Sequence, residues 1–505
     1  MTGPSPDRAA FEHLAERHPI VPVWRELIVD MHTPVGVYAR LRDSLRDSFL
    51  LESVEGGERW GRYSFIGGDT FAAVTGKDGR ISVEGSPPVQ PEANEPPLAY
   101  VRRLLDGCRA PAVEGLPPLH GGAVGYLGYD CVRELERLPV PPPDDLGLPD
   151  LALLLTRTFV VFDHFLQRAF VVSNVPTDVE RKAAYERAVD RCDEVIEALG
   201  RSFEAGPLVA AGGEGIEFDS PVSDDEFASW VDRARAHIYD GDIFQVVPSR
   251  RFETPVTSAF DAYRVLRTLN PSPYMYMLSF GARPDHTSFE IAGASPEPLL
   301  RVSGDQLVTR PIAGTRARGA TEDADALAER ELVADEKERA EHIMLVDLAR
   351  NDLGRVARFG TVNVDDLMVV ERYSHVMHLV SNVVGQLRPP ASAFDALTAC
   401  FPAGTVTGAP KVRAMEIIDS FERTRRGPYA GVVGYFVFSG NLDTCITIRT
   451  MVATGGRAYV QAGAGVVADS VPEMEVEETK NKAAPLLRAA ATVSSPAAGV
   501  GSQSS

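Results

Sequence analysis

The chain has 505 residues, 44% hydrophobic and 24% charged, which is ordinary globular composition and enough length for about three domains or one large two-part fold. Lysine and arginine total 51 against 71 aspartates and glutamates, so the formal net charge is −20. This charge repels nucleic-acid phosphates and anionic lipid head groups, and we expect no nucleic-acid or membrane partner. An anionic substrate would need a metal ion, an arginine or a helix N-terminus.

Cysteine usage and the N-terminal residues indicate the compartment. The five cysteines are widely spaced and form no C-x-x-C pair, which favours a reducing environment over a disulfide scaffold or a zinc site. The first twenty residues lack the basic-then-apolar order of a signal peptide, and the longest apolar run, 151–161, contains Arg157. We therefore expect a soluble, cytoplasmic protein.

A Gly- and Ala-rich stretch near the middle of the chain marks a boundary. It ends shortly before Ser223, which forms an S-x-x-E capping box with Glu226 and opens a helix over 224–239. The last residues have the Ser, Gly, Ala and Pro content of a disordered tail, and residues 1–6 are similar. The predicted division is an N-terminal extension over 1–20, a first domain over 21–205, a linker over 206–222, a second domain over 223–490 and a tail over 491–505.

Helices and strands mix without strict alternation. Apolar alternation predicts strands, and uninterrupted charged or amphipathic stretches predict helices. Glycine-containing turns at 439–441 and 455–456 predict successive antiparallel strands between 431 and 467. The clearest predicted strands are 60–66, 159–172 and 375–384, and the clearest helices are 178–199, 224–239 and 325–350. The mixture predicts an α+β fold with antiparallel β-sheets flanked by helices.

Two E-x-x-E motifs are the sharpest chemical feature. Glu338 and Glu341 lie on the predicted helix 325–350, where the three-residue spacing places both carboxylates on one face. Glu475 and Glu478 repeat the spacing. If both helices faced one cleft, the four carboxylates would form a hard oxygen site for Mg²⁺. The alternative is a pair of solvated helix faces, and Glu478 does have Lys482 four residues on.

A glycine-rich strand end precedes the second motif. In YVQAGAG at 459–465, Gly463 and Gly465 let backbone N–H groups approach an anion closely, although a plain turn is the alternative. In the neighbouring segment 445–451, strand alternation places Arg449 on the face opposite the apolar residues. Its guanidinium suits bidentate carboxylate capture, whereas an isolated arginine would ordinarily be a solvated surface residue.

Histidine and cysteine patterns exclude two other kinds of site. His375 and His378 fall on a predicted strand, where a three-residue spacing sends them to opposite faces, so a two-histidine metal site is disfavoured. A single histidine there is most often structural, with a general-acid role as the alternative. No cysteine has the G-x-C-x-G setting of a glutamine-hydrolysing nucleophile.

Taken together, the motifs resemble those of the chorismate-utilising enzymes, and within them the anthranilate synthase component I family. The resemblance covers residues 22–490. Its motifs are RPIAGT at 310–315, EHIMLVDLARND at 341–352, RYSHVMH at 372–378, FPAG at 401–404, GAG at 463–465 and the final E-x-x-E.

The resemblance implies a fold, a β-sandwich of the component I type, and a reaction. Chorismate and ammonia would give anthranilate and pyruvate, with Mg²⁺ held by Glu341 and Glu478 beside Glu338 and Glu475. His378 would transfer a proton around the leaving 4-hydroxyl. The substrate-binding positions carried over from the family are Gly314, Thr315, Tyr429, Arg449, Gly463, Ala464 and Gly465.

Two positions separate activities within the resemblance. Relatives that make isochorismate or salicylate carry a lysine base where this chain has Gln245, and an amide cannot serve as that base. Relatives that make aminodeoxychorismate carry a nucleophilic lysine where this chain has Ala313. Direct attack by ammonia is therefore expected, and component I of aminodeoxychorismate synthase is the alternative.

The resemblance also implies regulation and a partner. Ser53, with Pro273, Tyr274 and Met275, matches the family's tryptophan feedback site. Because the chain has no glutaminase motif, a separate glutamine amidotransferase subunit, component II, would supply ammonia in a heterotetramer. The opposite hypothesis is an inactive amino-acid-binding regulator, against which both E-x-x-E motifs, His378 and Arg449 argue.

Overall fold

The computed structural model describes residues 3–53, 61–201, 208, 218–372 and 376–494. The helices in this part of the chain are α1 (Arg8–Leu14), α2 (Pro34–Leu41), α3 (Pro97–Gly107), α4 (Arg181–Gly200), α5 (Asp224–Tyr239), α6 (Ala259–Leu269), α7 (Glu322–Ala334), α8 (Glu336–Gly354), α9 (Ala393–Cys400), α10 (Lys411–Phe421) and α11 (Pro472–Ser494). Short 3-10 helices occupy Arg42–Ser44, Tyr129–Glu134 and Gly404–Val406.

The strands of the first half are β1 (Ile20–Ile28), β2 (Ser48–Glu52), β3 (Tyr63–Lys77), β4 (Arg80–Gly85), β5 (Gly122–Leu127), β6 (Leu151–Asp163) and β7 (Arg168–Pro176). Those of the second half are β8 (Gln245–Val246), β9 (Ser249–Pro255), β10 (Tyr274–Phe280), β11 (Phe289–Ser295), β12 (Pro298–Ser303), β13 (Gln306–Thr309), β14 (Ile312–Ala317), β15 (Asn363–Arg372), β16 (Val376–Gln386), β17 (Gly408–Ala409), β18 (Val432–Val437), β19 (Leu442–Ile446), β20 (Thr450–Thr454) and β21 (Arg457–Gly463).

Antiparallel pairing dominates the sheet. Nineteen of the described strands form one hydrogen-bonded network, and β8 pairs separately with β17. Amphipathic helices bury their apolar faces against the strands or against one another; α4 packs on β7 and β1, for example, whereas α5 packs on α11. The predicted α+β fold with antiparallel sheets is confirmed. Among the described residues, no helix is long and apolar enough to cross a bilayer.

The two predicted domains share the sheet. Strand β5 pairs with β18 and β2 pairs with β10, so strands from either side of the predicted boundary are hydrogen-bonded together. Most of the predicted linker lies outside the described residues. At the ends, Ser5 forms a bridge with Trp24, and α11 continues through Ser494, so order extends beyond what composition indicated there.

Two predicted elements are interrupted. The helix expected over 325–350 is two helices, because Asp335 adopts an extended conformation and its side chain accepts hydrogen bonds from the N–H groups of Lys337 and Glu338, capping α8. The strand expected over 445–451 breaks after Ile446, and Arg449 lies in the connection with a φ of 50°. The chain turns there because β19 pairs with β12 and β18, whereas β20 pairs with β11 and β21.

Packing brings the beginnings of α8 and α11 over the same part of the sheet. Helix α11 buries Ala483, Leu486 and Leu487 in a core shared with α6 and β21. Helix α8 buries Leu345 and Val346 and contacts β14 and β16. Each fully buried leucine contributes about 1.5 to 3 kcal/mol, so these apolar faces fix where the glutamates at the helix beginnings lie.

Candidate active site

A cavity of about 670 Å³ lies between the first turns of α8 and α11 and the strands below them. It collects nearly all of the predicted site residues, together with Gln245 and Ala313. The predicted residues that line it are Glu338, Glu341, Glu475, Glu478, Gly314, Thr315, His378, Tyr429, Arg449, Gly463 and Gly465. Ala464 does not line the cavity: its side chain packs in the core beside Val246, and its N–H donates to the carbonyl of Pro248 at 3.2 Å.

The four E-x-x-E glutamates come from two helices, as the sequence predicts. Burial and the neighbouring Glu338 and Glu478 carboxylates raise the pKa of Glu341, although the Gln245 side chain donates a hydrogen bond to it at 2.9 Å. Burial, and then Glu478, also raises the pKa of Glu475. Glu338 pairs with Arg316 at 3.1 Å and Glu478 pairs with Lys482.

This donor set fits a hard divalent cation. Burial, and then mutual repulsion, raises the pKa of Glu341 and Glu475, and a cation between the two helices would offset both effects. Among the described residues, no three acidic, histidine or cysteine side chains converge closely enough to hold a metal by themselves. Mg²⁺ suits such an open set, because it takes one or two protein carboxylates and completes its coordination with waters and substrate oxygens.

Two cationic side chains, Arg449 and Lys482, also line the cavity. Lys482 lies on α11 and pairs with Glu478. Burial lowers the pKa of Arg449, although Tyr429 and the carboxylates of Glu478 and Glu297 act in the opposite direction. An arginine remains a cation under such conditions. Lys482 donates to the carbonyl of Gly463 at 2.9 Å. An anion placed beside these two residues would meet the Arg449 guanidinium and the Lys482 ammonium, which Glu478 shares, despite the net charge of −20. The cavity thus contains the local positive charge that an anionic substrate would need in a chain with so large a negative net charge.

The two glycines of the GAG motif leave space for the groups that line the cavity. A Cβ on Gly463 would lie 2.8 Å from the carbonyl oxygen of Pro248 and 2.9 Å from the Tyr429 hydroxyl. A Cβ on Gly465 would lie 3.0 Å from the Gln245 amide nitrogen. Side chains at these positions would therefore intrude on the groups that line the cavity.

His378 is held by its neighbours on β14. It pairs with Thr315 across the strands, and its Nδ1 lies 3.0 Å from the Thr315 hydroxyl and 3.1 Å from the carbonyl oxygen of Gly314. Because a carbonyl only accepts, Nδ1 carries the proton in the neutral ring. Burial lowers the pKa of His378, so the ring is neutral at physiological pH and can accept a proton.

Sequence reasoning missed Glu297. It is 8% exposed, lines the same cavity, and accepts a hydrogen bond from the Thr405 hydroxyl at 2.9 Å. Burial raises its pKa to about 8, against the opposing effects of Thr405, Lys482 and Arg449. At neutral pH Glu297 is therefore a carboxylic acid. The available signal was a lone glutamate within the otherwise uncharged segment 291–300.

Comparison with known proteins agrees with this geometry. A model of the chorismate binding enzymes matches residues 49–488. The chain belongs to the chorismate-binding enzyme family. Anthranilate synthase component 1 of Mycolicibacterium smegmatis is 48% identical over 504 residues, covering 97% of this chain and 95% of that protein. The corresponding protein of Acetivibrio thermocellus is 46% identical, covering 94% and 96%.

A solved structure shares the architecture. Component I of anthranilate synthase from Streptococcus pneumoniae superposes with a TM-score of 0.74 at 36% identity, covering 92% of this chain and 99% of that one. The match to each of these relatives covers more than nine tenths of both chains.

The protein has a second, smaller cavity of about 280 Å³. Ser53, Pro273, Tyr274 and Met275, the predicted tryptophan-binding residues, all line it. Strands β2 and β10 pair beside it, which brings Ser53 to the β10 residues across the predicted boundary. Its wall is largely aromatic and apolar, with a polar side formed by Arg62, Tyr435 and Asp443, among others. Pro273 lines both cavities.

Proposed function

We propose that this chain is the ammonia-using component of anthranilate synthase. It converts chorismate and ammonia to anthranilate, pyruvate and water, with Mg²⁺ as cofactor, at the first step of tryptophan biosynthesis in the cytoplasm. The observation that carries the proposal is one cavity that combines the glutamates of two helix beginnings, the guanidinium of Arg449, which forms no ion pair among the described residues, and a buried carboxylic acid. The relatives' shared name, component 1, supports it.

Chorismate is a dicarboxylate, and the cavity offers a distinct place for each carboxylate. Arg449, Tyr429 and the N–H groups near Gly463 suit one of them. Glu341 and Glu478, with Glu338 and Glu475 beside them, would hold the Mg²⁺, which supplies positive charge for the other carboxylate. Substrate orientation between these two ends is the main task of the binding residues.

The first chemical step forms a C–N bond and breaks a C–O bond. Ammonia attacks C2 while the hydroxyl at C4 leaves, and Glu297 donates the proton that turns this hydroxyl into water. The cavity wall has Gln245 and Ala313 where a lysine base or a lysine nucleophile would give other products. This assigns to Glu297 the proton transfer that the family resemblance assigned to His378.

The second step removes pyruvate and restores the aromatic ring. A base takes the proton from C2, the bond between C3 and the enolpyruvyl oxygen breaks, and the departing enolate is protonated on its methylene carbon to give pyruvate. His378 suits this role because its ring is neutral. Glu297 and His378 thus have opposite protonation states at neutral pH, one for each step.

We further propose that tryptophan inhibits by binding in the second cavity, where the Ser53 hydroxyl is buried without a hydrogen-bond partner among the described residues. A separate glutamine amidotransferase would supply ammonia in a heterotetramer, since the chain has no glutaminase motif of its own.

Product analysis tests the reaction. Chorismate, MgCl₂ and ammonium chloride are supplied to the purified chain, and anthranilate and pyruvate are quantified with and without tryptophan. Stoichiometric anthranilate and pyruvate, suppressed by tryptophan, are expected. Accumulation of aminodeoxychorismate instead of anthranilate would favour the alternative synthase, and no product with glutamine alone is expected until an amidotransferase is added.

A further inference from the structure

A fully buried polar residue follows the second glutamate of each E-x-x-E motif. His342 comes directly after Glu341 on α8, and Thr479 comes directly after Glu478 on α11; both are 0% exposed. Buried polar side chains need hydrogen-bond partners, because an unpaired polar group in the core costs free energy. Each of these two residues has a partner on a strand, so both glutamate helices are hydrogen-bonded to the sheet at the same position of their motif.

On α11 the partner is Arg250, a residue of β9 whose side chain is 1% exposed. Its Nε donates to the Thr479 hydroxyl at 2.9 Å, and its Nη2 donates to the carbonyl of Val476 at 3.2 Å. The Thr479 hydroxyl in turn donates to the same carbonyl at 2.7 Å. One guanidinium therefore contacts the helix at the residues that follow Glu475 and Glu478.

The guanidinium of Arg250 is itself held from the other side. Its Nη1 donates to the Asp224 carboxylate at 2.7 Å, at the beginning of α5, and Lys480 pairs with the same carboxylate. The centroids of the Phe227 and Phe252 rings lie 5.2 and 5.0 Å from its Cζ. A planar donor with this many partners has one orientation, since turning it would break several bonds to a buried charge. Arg250 therefore holds α11 in one orientation.

On α8 the contact with the sheet is a hydrogen bond between two side chains. The Nε2 atom of His342 lies 2.6 Å from the hydroxyl oxygen of Ser381, a fully buried residue of β16. That oxygen also accepts a hydrogen bond from the N–H of Met368 on β15 at 2.9 Å. Because the sheet holds Ser381 in place, the His342 ring holds α8 in a fixed orientation against the sheet.

These hydrogen bonds matter because apolar packing alone leaves the rotation of a helix about its axis loosely defined. Apolar contacts are non-directional, whereas hydrogen bonds constrain both distance and angle. Consecutive helical residues lie about 100° apart, so the buried residue points into the core while the glutamate before it faces the cavity. A rotation of about 10° would move a carboxylate at the helix surface by about 1 Å. Mg²⁺ requires a near-octahedral set of oxygens at about 2.0 to 2.1 Å, so a displacement of this size weakens its binding.

We propose that Arg250 and His342 are positioning residues for the metal site. Through Thr479 and Ser381 they fix the rotation of α11 and α8, and so they set the separation of the glutamates that precede the buried residues. Neither Arg250 nor His342 lines the catalytic cavity, so both act on the metal through the helices. This inference rests on the proposed function, which assigns Mg²⁺ to these glutamates, and adds the residues that prepare the site before the metal binds.

The test separates the hydroxyl of Thr479 from its volume. Thr479→Val keeps the volume but removes the acceptor of the Arg250 hydrogen bond, whereas Thr479→Ser keeps the hydroxyl but removes a buried methyl group. Thr492→Val is the matched control, because the Thr492 hydroxyl donates to the carbonyl of Arg488 within the same helix. Ser381→Ala makes the corresponding change on the α8 side.

Metal binding is measured in two ways. Mn²⁺ is titrated into each protein without substrate, and the electron paramagnetic resonance signal of the free ion gives the dissociation constant. Anthranilate formation is measured across a MgCl₂ titration at saturating chorismate and ammonium chloride. The Mn²⁺ titration does not depend on turnover, so it reports on the site even where catalysis changes. Urea denaturation gives the stability of each variant.

The dissociation constant for Mn²⁺ and the MgCl₂ concentration at half-maximal turnover are both expected to rise about tenfold in Thr479→Val and in Ser381→Ala, because the glutamates lose their fixed separation. Turnover at saturating MgCl₂ should fall much less than this, since the metal restores the arrangement once it is bound. Thr479→Ser should lose stability but keep both metal values close to those of the unaltered chain, and Thr492→Val should change neither.

Three results would overturn the proposal, because each would mean that these hydrogen bonds only stabilise the fold. They are unchanged metal values in either Thr479→Val or Ser381→Ala, a rise of the same size in Thr479→Ser, and a loss of turnover without a shift in the metal dependence. Failure of the proposed function has a different signature: the unaltered chain would then form no anthranilate from chorismate and ammonium, or would form it equally well without Mg²⁺.

Discussion

The two cavities differ in what they use to select a ligand. The catalytic cavity is lined by charges of both signs: four glutamates on α8 and α11, together with Arg449 and Lys482. The second cavity is lined mainly by aromatic and apolar side chains from both predicted domains. A charged group acts through a few atoms, so few other residues can replace it, whereas an apolar wall selects a ligand by its shape. Single substitutions should therefore have large effects in the first cavity and selective effects in the second.

The largest effect is expected from Glu341→Gln. Loss of one buried anionic oxygen should remove several kcal/mol of charge stabilisation, or about 10³-fold in turnover, because the amide cannot replace a carboxylate as a Mg²⁺ ligand. Turnover is measured across a MgCl₂ titration, with circular dichroism to check folding. The matched control is Glu336→Gln, on the same helix but exposed, which should retain full turnover. Equal turnover in the two variants would mean that the E-x-x-E glutamates are solvated helix faces.

The second largest effect on turnover is expected from Glu297→Gln. This substitution should lower turnover about 10²- to 10⁴-fold because the leaving hydroxyl loses its proton donor. In the unaltered chain the acid form is the active one, so turnover should decline as pH rises through about 8, where the carboxyl ionises. The profile must be measured at constant free ammonia, since ammonium also titrates.

Thr405→Val sharpens this test. The Thr405 hydroxyl donates to the Glu297 carboxylate and stabilises its charged form, so removing it should move the decline to higher pH. A decline that stays in place, or that persists in Glu297→Gln, would assign the titration to another group.

A smaller loss, about 10²-fold, is expected from His378→Ala, with a change of product. If His378 is the base of the second step, the variant should still form the C–N bond and should accumulate the aminated, non-aromatic intermediate. Chromatography of reaction mixtures quenched over time measures the ratio of this intermediate to anthranilate. An equal loss of both compounds would return His378 to the first step.

In the second cavity, Ser53→Phe should relieve tryptophan inhibition at least tenfold while uninhibited turnover stays within about twofold. The bulky ring fills space at a position that lines the second cavity but not the catalytic one. Inhibition curves and calorimetric tryptophan titrations measure the change. In the unaltered chain, tryptophan and chorismate with Mg²⁺ should weaken each other's binding by the same factor, as linkage requires. Loss of basal turnover in proportion to loss of inhibition would place the tryptophan site elsewhere.

The smallest effect is expected from Ala464→Gly, which should cost about 1 kcal/mol of unfolding free energy and leave the KM for chorismate unchanged, because this methyl group packs in the core. Gly463→Ala, one residue earlier, should instead raise the KM, since its Cβ would meet Tyr429 and Pro248. Urea denaturation and steady-state kinetics of the two variants test this contrast.

Local patterns predicted much of this arrangement. The helix beginning at Asp224, the turns at 439–441 and 455–456 and the strand ending near Gly463 each follow from signals a few residues long. The break at Asp335 and the turn at Arg449 do not, because a capping aspartate within a charged helix and a change of strand partner have no distinctive local periodicity.

By itself, the sequence determined which residues could perform chemistry: the paired glutamates, His378, Arg449 and the glycines, with Gln245 and Ala313 separating one reaction from its neighbours. Only the tertiary structure decided which of them share a cavity, because that depends on contacts between segments hundreds of residues apart. It turned Ala464 into the core, brought Ser53 beside Met275 and buried Glu297 deeply enough to keep its proton. A pKa reflects the solvent and charges around a group, and the fold alone sets that environment.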